Sequence, residues 1–210
     1  MKLKVCGMTQ PENIKEIAKL QPNFMGFIFY KNSSRYFKGT IPVLPKTIKK
    51  VGVFVNSPLN EVLALSKDHQ LDVLQLHGQE TPEYCRRLKQ SVVDHKIEII
   101  KVFSVKTSFD FNKLKTYEPF CDYFLFDTKG KLPGGNGETF NWTLLNQYTS
   151  NTPFFLSGGI GLNQIKQLKQ FMASKAAERC YAIDVNSRFE TAPGIKNKNE
   201  LEKLNYELQH

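Results

Sequence analysis

Short apolar runs alternate with polar stretches along the whole of this 210-residue sequence. Several of the runs are apolar throughout, which is typical of parallel strands that are covered on both faces. We predict a strand at each run: Leu3–Cys6, Phe24–Phe29, Val51–Val55, Val73–Leu76, Glu98–Phe103, Tyr123–Phe126, Pro153–Leu156 and Tyr181–Val185.

The stretches between these runs have helical patterns. In the second of them Val62, Leu63 and Leu65 fall on one side of a helix. The predicted helices are Glu12–Leu20, Leu59–His69, Thr81–Gln90, Phe140–Gln147, Asn163–Ala173 and Glu200–Leu208. After the fifth run, the segment that contains Phe109–Asn112 predicts a weak or missing helix.

Strand–helix alternation repeated eight times indicates an α/β fold, a single-domain (β/α)8 TIM barrel over residues 1–210. The barrel would be compact, because the fold typically takes about 250 residues. A doubly wound open sheet is the alternative, but no glycine-rich dinucleotide-binding fingerprint follows the first run.

Composition restricts the class of protein further. Hydrophobic residues make up 40% and charged residues 23%, as in soluble globular proteins. No run approaches the roughly 20 apolar residues of a membrane span, and the first residues lack a signal-peptide pattern. We therefore expect a cytoplasmic protein without a membrane partner. The four cysteines are scattered without a CxxC pair, which favours reduced thiols and no structural metal.

The formal net charge of +9 is compatible with a nucleic-acid partner or an anionic substrate. The lysines are spread along the chain, however, and no nucleic-acid-binding motif is present. A solvated lysine-rich surface therefore explains most of the charge. We expect no nucleic-acid partner, and an anionic small molecule as the ligand.

Cys6 lies where the first strand meets a turn at Gly7. Thr9 and Glu12 have the spacing of a capping box, so a helix is expected to start here with Thr9 as its N-cap. A thiol beside a helix N-terminus is placed to have a lowered pKa. The alternative is that Cys6 is a small buried apolar residue, as most free cysteines are.

In a barrel of this class the active site lies at the carboxyl ends of the strands. This rule places Cys6 and Asp127 nearly opposite each other, as a possible acid–base pair. Asp127 could instead accept hydrogen bonds from its own loop. Lys4, inside the first strand, is a weak candidate for a counter-charge near Cys6 or Asp127.

Two further residues are candidates for binding a ligand at the same rim. Arg35 has a planar guanidinium that suits a carboxylate, although an ordinary exposed ion pair is the alternative. His77 either polarises a substrate or bonds the loop backbone, and we weigh these two roles equally.

The last two strands end in a possible phosphate site. Gly158 and Gly159 allow backbone N–H groups to approach a ligand, although two glycines can also serve only as a tight turn. Asp184 precedes Asn186 and Ser187, where a short helix would favour an anion. Phosphate binding after strands seven and eight is common in this fold.

An ordered set of motifs resembles the phosphoribosylanthranilate isomerase family across almost the whole chain. The motifs are Lys4–Thr9, Gln75–Gly78, Phe126–Asp127 with the glycine-rich loop 131–137 and Phe140–Trp142, Leu156–Ile160, Asp184–Ser187, Glu190 and Pro193–Lys196. One departure is Arg188, which stands where the family commonly has glycine, beside the expected phosphate.

The resemblance implies an isomerase of tryptophan biosynthesis that uses no metal and no organic cofactor. Short barrels of this kind occur as monomers and dimers, so we expect a monomer or homodimer. The resemblance also implies that Cys6 is the general base and Asp127 the general acid, that Arg35 binds the anthranilate carboxylate, and that the glycine and Asn-Ser loops bind phosphate. Two alternatives remain. One is another phosphosugar-binding barrel, such as the aminoaldose isomerase of histidine biosynthesis, and the other is a non-catalytic basic binding protein.

Overall fold

The structure, a computed structural model, describes residues 1–93, 96–128 and 139–209. Eight parallel strands close into a barrel in chain order, and the last strand pairs with the first. They are β1 (Lys2–Val5), β2 (Phe24–Ile28), β3 (Lys49–Phe54), β4 (Val73–Leu76), β5 (Glu98–Val105), β6 (Tyr123–Thr128), β7 (Phe154–Leu156) and β8 (Cys180–Val185). The barrel prediction is confirmed, and the closed sheet excludes the doubly wound alternative.

Helices cover the outside of the barrel. The α-helices are α1 (Pro11–Ala18), α2 (Leu59–His69), α3 (Pro82–Val92), α4 (Ile165–Met172) and α5 (Lys198–Gln209). A two-stranded antiparallel hairpin of β9 (Glu190–Ala192) and β10 (Ile195–Lys196) precedes α5. Across the described ranges, none of the helices has the length and apolar character needed to cross a membrane.

Two of the barrel's connections are 3-10 helices. The one after β5, Phe111–Thr116, agrees with the weak helix that the sequence predicts there. The predicted helix Phe140–Gln147 forms only as a 3-10 helix over Trp142–Gln147. Trp142 and Leu145 are its buried residues, and a spacing of three aligns side chains in this tighter helix.

The start of α1 differs from the capping-box prediction. The N-cap is Gln10, which makes no side-chain cap hydrogen bond. Thr9 instead donates from Oγ1 to the carbonyl oxygen of Gly194, 2.9 Å away. This contact joins the first loop to the β9–β10 hairpin. The Thr9 hydroxyl group therefore makes a tertiary hydrogen bond in place of the helix cap that the sequence predicts.

Apolar side chains fill the middle of the barrel, and polar side chains lie at the carboxyl ends of its strands. The interior apolar residues are Phe24, Val51, Val73, Ile100, Val102, Tyr123, Leu125, Phe155 and Ala182. Lys4 is paired with Phe24 and Asp184 across neighbouring strands, so Lys4 faces inward. Side chains alternate along a strand, and Cys6 therefore follows Lys4 on the inner face.

A buried ion pair on the outside of the barrel ties the ends of β3 and β4 to the middle of β5. Lys101 Nζ lies 3.0 Å from Oε2 of Glu80 and donates to the carbonyl oxygens of Leu76 and Gly78. Glu80 also accepts a 2.8 Å hydrogen bond from the backbone of Asn56. This one pair therefore holds the loops after β3 and β4 against β5.

We expect Lys101→Met to lower the free energy of unfolding by about 3–5 kcal/mol, because the Glu80 carboxylate is left buried without its cation. Urea denaturation of the variant against the parent measures the loss. Lys101→Met combined with Glu80→Gln removes both charges and should recover part of it. A single variant as stable as the parent would contradict this account of the pair.

Candidate active site

An open cavity lies at the carboxyl ends of the barrel strands and encloses about 770 Å³, including the solvent at its mouth. All nine residues predicted to be catalytic or to bind the ligand line it. They are Cys6, Arg35, His77, Asp127, Gly158, Gly159, Asp184, Asn186 and Ser187. The glycine-rich loop 131–137 lies outside the described residues.

Cys6 sits on one wall of this cavity above a buried charge pair. Lys4 Nζ lies 2.8 Å from Oδ1 of Asp184, and Ser157 Oγ donates to Oδ2 of the same carboxylate at 3.1 Å. A Cβ placed on Gly26, in the neighbouring strand, would lie 2.6 Å from the Cys6 sulfur. The absence of a side chain at Gly26 therefore leaves the space that the thiol occupies.

The Cys6 thiol has a raised pKa, contrary to the prediction made from its place near a helix start. Burial raises its pKa, and the neighbouring Lys4 ammonium opposes that effect without cancelling it. The Lys4 pKa is also raised, because Asp184 and Cys6 outweigh the effect of burial. Burial in the barrel thus decides the direction for the thiol, and the helix start does not.

Asp127 stands across the cavity at the end of β6. Its Oδ1 accepts a 2.9 Å hydrogen bond from the backbone N–H of Thr128, and Oδ2 lies 3.4 Å from Nε2 of His77. Gln75 Nε2 lies 3.2 Å from the other imidazole nitrogen, Nδ1. Donation from the Gln75 amide to Nδ1 leaves the proton of a neutral imidazole on Nε2, facing Asp127.

Gln75 is a cavity residue that the sequence analysis did not single out as a candidate. It is 1% exposed, and its Oε1 is a buried acceptor without a hydrogen-bond partner among the described residues. Buried polar atoms are normally satisfied, so this oxygen is one of three exceptions among the described residues. Its place two residues before His77 on an inward-facing strand position is the signal that points to it.

Backbone geometry at the end of β7 fits the predicted anion loop. Gly158 and Gly159 have φ angles of +92° and +64°, which residues that carry a side chain rarely adopt. A Cβ on Gly158 would lie 2.2 Å from Oγ1 of Thr128, so the loop also packs too tightly for one. The short helix expected after β8 is the 3-10 turn Ser187–Phe189.

Arg188 lies in the turn after β8 and packs against the loop after β7. It lines the cavity, and its Cβ is 3.1 Å from the position of a Cβ on Gly161. The stem of Arg188 thus packs against the glycine of the opposite loop. The departure from the family's glycine therefore puts a cationic side chain at the rim of the candidate anion site.

Arg35 is held by a carboxylate from the β9–β10 hairpin. Its Nε and Nη2 donate to Glu190 at 2.8 and 2.7 Å, as a bidentate pair. Lys196 Nζ binds the same carboxylate and donates to Oδ1 of Asn186 at 2.7 Å. Arg35 is thus ion-paired, but the pair is largely buried and not the exposed one of the alternative prediction, and the side chain also lines the cavity.

The pKa values of this network follow from burial and charge. Burial acts to raise the pKa of Glu190, but Arg35 and Lys196 outweigh it and the pKa is lowered. Burial lowers the pKa of Lys196 to about 8, and Glu190 opposes that shift. Glu190 and Lys196 were missed as site residues because the sequence offered them only as parts of a family motif.

The cavity suits an organic anion, and its residues supply a thiol, a carboxyl group, an imidazole and a guanidinium. Within the described ranges no group of three or more His, Cys, Asp or Glu side chains is arranged to hold a metal ion. All four cysteines are free and buried.

Comparison with known proteins identifies the family. A family model described as N-(5'phosphoribosyl)anthranilate (PRA) isomerase matches residues 3–206. The N-(5'-phosphoribosyl)anthranilate isomerase of Phocaeicola vulgatus is 44% identical over 197 residues, which cover 94% of this chain and 92% of that protein.

Solved structures agree in fold and extent. The crystal structure of phosphoribosyl anthranilate isomerase from Thermus thermophilus has a TM-score of 0.82 and 27% identity, covering 100% of this chain and 98% of that one. Another phosphoribosyl anthranilate isomerase, crystallised with reduced 1-(o-carboxyphenylamino)-1-deoxyribulose 5-phosphate, has a TM-score of 0.77 and 26% identity, with coverage of 100% and 98%. The chain therefore belongs to the N-(5'-phosphoribosyl)anthranilate isomerase family of (β/α)8-barrel isomerases.

Proposed function

We propose that this protein catalyses the Amadori rearrangement of N-(5-phosphoribosyl)anthranilate to 1-(2-carboxyphenylamino)-1-deoxyribulose 5-phosphate, with Cys6 as general base and Asp127 as general acid. The observation that carries the proposal is that both residues face one cavity whose remaining walls suit an anion. Family membership and the sugar phosphate crystallised with a solved relative support the same substrate class.

The acid acts first in this reaction. Asp127 donates a proton to the ring oxygen of the ribose while the C1′–O bond breaks, and the nitrogen lone pair forms a Schiff base at C1′. The ring opens with the gain of that one proton, so the Schiff base is protonated and Asp127 is left as a carboxylate. Nε2 of His77, 3.4 Å from Oδ2, is placed to hold this carboxyl group toward the cavity.

The base acts on the opened sugar. The Cys6 thiolate removes the proton at C2′, and the electron pair of that bond moves to form an enolamine. The enolamine then passes its hydroxyl proton to the Asp127 carboxylate and takes a proton at C1′ from the Cys6 thiol, which gives the ketone and restores both groups. C2′ is oxidised and C1′ reduced within one molecule, so the reaction needs no external oxidant or reductant.

The anionic ends of the substrate match the two sides of the cavity. The backbone N–H groups of the Gly158–Gly159 loop and of the turn Ser187–Phe189 suit the phosphate, with Arg188 at the rim. Arg35 suits the anthranilate carboxylate, because bidentate pairing with Glu190 fixes the plane of its guanidinium. A sugar phosphate with two anionic groups, the phosphate and the carboxylate, thus uses both sides of the cavity.

We expect Arg35→Ala to raise KM for phosphoribosylanthranilate about 10-fold or more, because a charge-assisted hydrogen bond to the carboxylate is lost. Steady-state kinetics of the purified variant measure the change. Arg86→Ala is the matched control, because Arg86 forms an exposed ion pair with Glu83 at 2.7 Å outside the cavity. An unchanged KM in Arg35→Ala would assign the carboxylate to another residue.

The proposed activity is tested directly by following the fluorescence of phosphoribosylanthranilate in the presence of purified protein. We expect the fluorescence to decay faster than in buffer, in proportion to protein concentration. The aminoaldose substrate of the histidine pathway, supplied in a parallel assay, tests the alternative isomerase. A phosphoribosylanthranilate decay at the uncatalysed rate would overturn the proposal.

A further inference from the structure

Lys4 is a fully buried cation inside the barrel, with 0% of its side chain exposed. Moving a charged amine out of water costs several kcal/mol unless partners compensate it, and an apolar side chain of similar size often stabilises such a position better. Neighbouring interior positions such as Phe24 and Ala182 are apolar. A lysine at this position therefore calls for an explanation beyond packing.

Partners hold the Lys4 ammonium in place. Its Nζ is 2.8 Å from Oδ1 of Asp184, and Ser157 Oγ donates to the second oxygen of that carboxylate at 3.1 Å. The carboxylate is thus oriented from both sides, on the strand that pairs with β1. Cys6 follows two residues after Lys4 on the same inward face, so the fixed ammonium lies beneath the thiol.

We propose that Lys4 is a positioning residue, which Asp184 holds inside the barrel so that its positive charge stabilises the Cys6 thiolate. The catalytic purpose of this charge rests on the proposed function, in which Cys6 must ionise to act as the base. The electrostatic relation between Lys4 and Cys6 is a property of the protein without substrate. It can be measured even if the base is another residue.

The charges around Cys6 support this assignment. Burial raises the pKa of the thiol, Lys4 lowers it, Asp184 raises it, and Lys196 lowers it least. Lys196 faces the thiol from β10, where Glu190 and Asn186 bind its ammonium. Arg35, His77 and Asp127 line the same cavity. Lys4 therefore makes the largest contribution that opposes the effect of burial.

The test measures the pH dependence of alkylation of Cys6 by iodoacetamide, because the thiolate is the reactive form. Trypsin cleavage after Lys4 and Lys15 gives a peptide with Cys6 as its one cysteine, so mass spectrometry follows this thiol alone. In Lys4→Met the peptide starts after Lys2 instead. We expect the midpoint of the rate profile to move up by about one pH unit or more, with about 10-fold slower alkylation at neutral pH.

Lys101→Met is the matched control. Lys101 is as buried as Lys4 and pairs with Glu80 at 3.0 Å, but it lies on the outer face of the barrel. This variant loses a buried cation of the same kind, and we expect the alkylation midpoint of Cys6 to stay where it is in the parent. A merely structural role for Lys4 predicts the same behaviour in both variants.

A second variant covers the case in which Lys4→Met does not fold. Lys4→Met combined with Asp184→Asn removes both charges, and the amide oxygen can still accept from Ser157. Because Lys4 affects the thiol more than Asp184 does, we expect a shift of the midpoint in the same direction but smaller. Lys101→Met combined with Glu80→Gln is its control.

An unchanged midpoint in a folded Lys4 variant would overturn the proposal, as would an equal shift in the Lys101 control. Loss of the proposed function gives a different result, namely turnover by Cys6→Ala together with a midpoint that still depends on Lys4. In the parent enzyme the rising limb of kcat/KM with pH should follow the alkylation midpoint, and in Lys4→Met both should move up together.

Discussion

Cys6→Ala is expected to lower kcat by at least about 100-fold, because general base catalysis by a positioned side chain contributes 10²–10⁴-fold. The methyl group of alanine cannot accept the C2′ proton. Steady-state turnover of phosphoribosylanthranilate measures the loss. The affinity for the reduced product analogue, measured by calorimetry, should change little because the anion-binding loops remain.

Cys180→Ala is the matched control for this substitution. Cys180 is a buried thiol at the start of β8, at the opposite end of its strand from the cavity, and the same atoms are removed. We expect its kcat to equal that of the parent. If Cys6→Ala turned over substrate as fast as Cys180→Ala, Cys6 would have no part in the mechanism.

The pH dependence of the turnover rate of the parent enzyme should reflect the ionisation of the Cys6 thiol. Burial holds the pKa of Cys6 above the usual value of a thiol, so the thiolate is the minor form near neutral pH. The rate is therefore expected to rise with pH toward and beyond that usual value. A profile that falls as pH rises through this range would contradict the assignment of Cys6 as the base.

Asp127→Asn is expected to lower kcat to a similar extent, by at least about 100-fold. The amide keeps the shape of the side chain, and its oxygen can still accept from the backbone of Thr128. It cannot release a proton to the ring oxygen, so the sugar stays closed. KM should change far less than kcat, since no anion-binding contact is removed.

Asp110→Asn is the control for this second substitution. Asp110 also uses Oδ1 to accept a local backbone hydrogen bond, 3.1 Å from the N–H of Asn112, but it lies outside the cavity. We expect parental kinetics. Single-turnover measurements of Asp127→Asn should show substrate bound and unopened, and a parental rate of ring opening would assign the acid to another group, with His77 as the nearest candidate.

The barrel could be predicted from the sequence because each strand is a short apolar run with its own boundaries. All eight strands lie within two residues of the predicted ends. The helix Leu59–His69 is also predicted to the residue. The connection Trp142–Gln147 was the harder case, since apolar residues three apart fit both an α-helix and a 3-10 helix.

The part of the candidate site that lies at the strand ends could be predicted, because active sites in these barrels lie at the carboxyl ends of the strands. Residues at strand ends, such as Cys6 and Asp127, meet in one cavity because the strands are parallel and closed. The partner of Arg35 could not be predicted, because Glu190 lies 155 positions away in the sequence. It belongs to a hairpin whose strands contain no apolar run that would predict them. The predicted lowering of the Cys6 pKa was wrong, because the local sequence pattern indicates a nearby helix start but not the burial of the thiol.

The pairing of β1 with β8 makes the order of folding part of the chemistry. Lys4 and Asp184 are 180 positions apart, and the contact that joins them is among the last that the growing chain can make. Such distant contacts are slow to form because a long loop must close first. Until β8 is made, Lys4 lacks Asp184, the carboxylate that holds its ammonium. The proposed catalytic centre therefore gains its buried ion pair only when the barrel closes, and an unfinished chain lacks that pair.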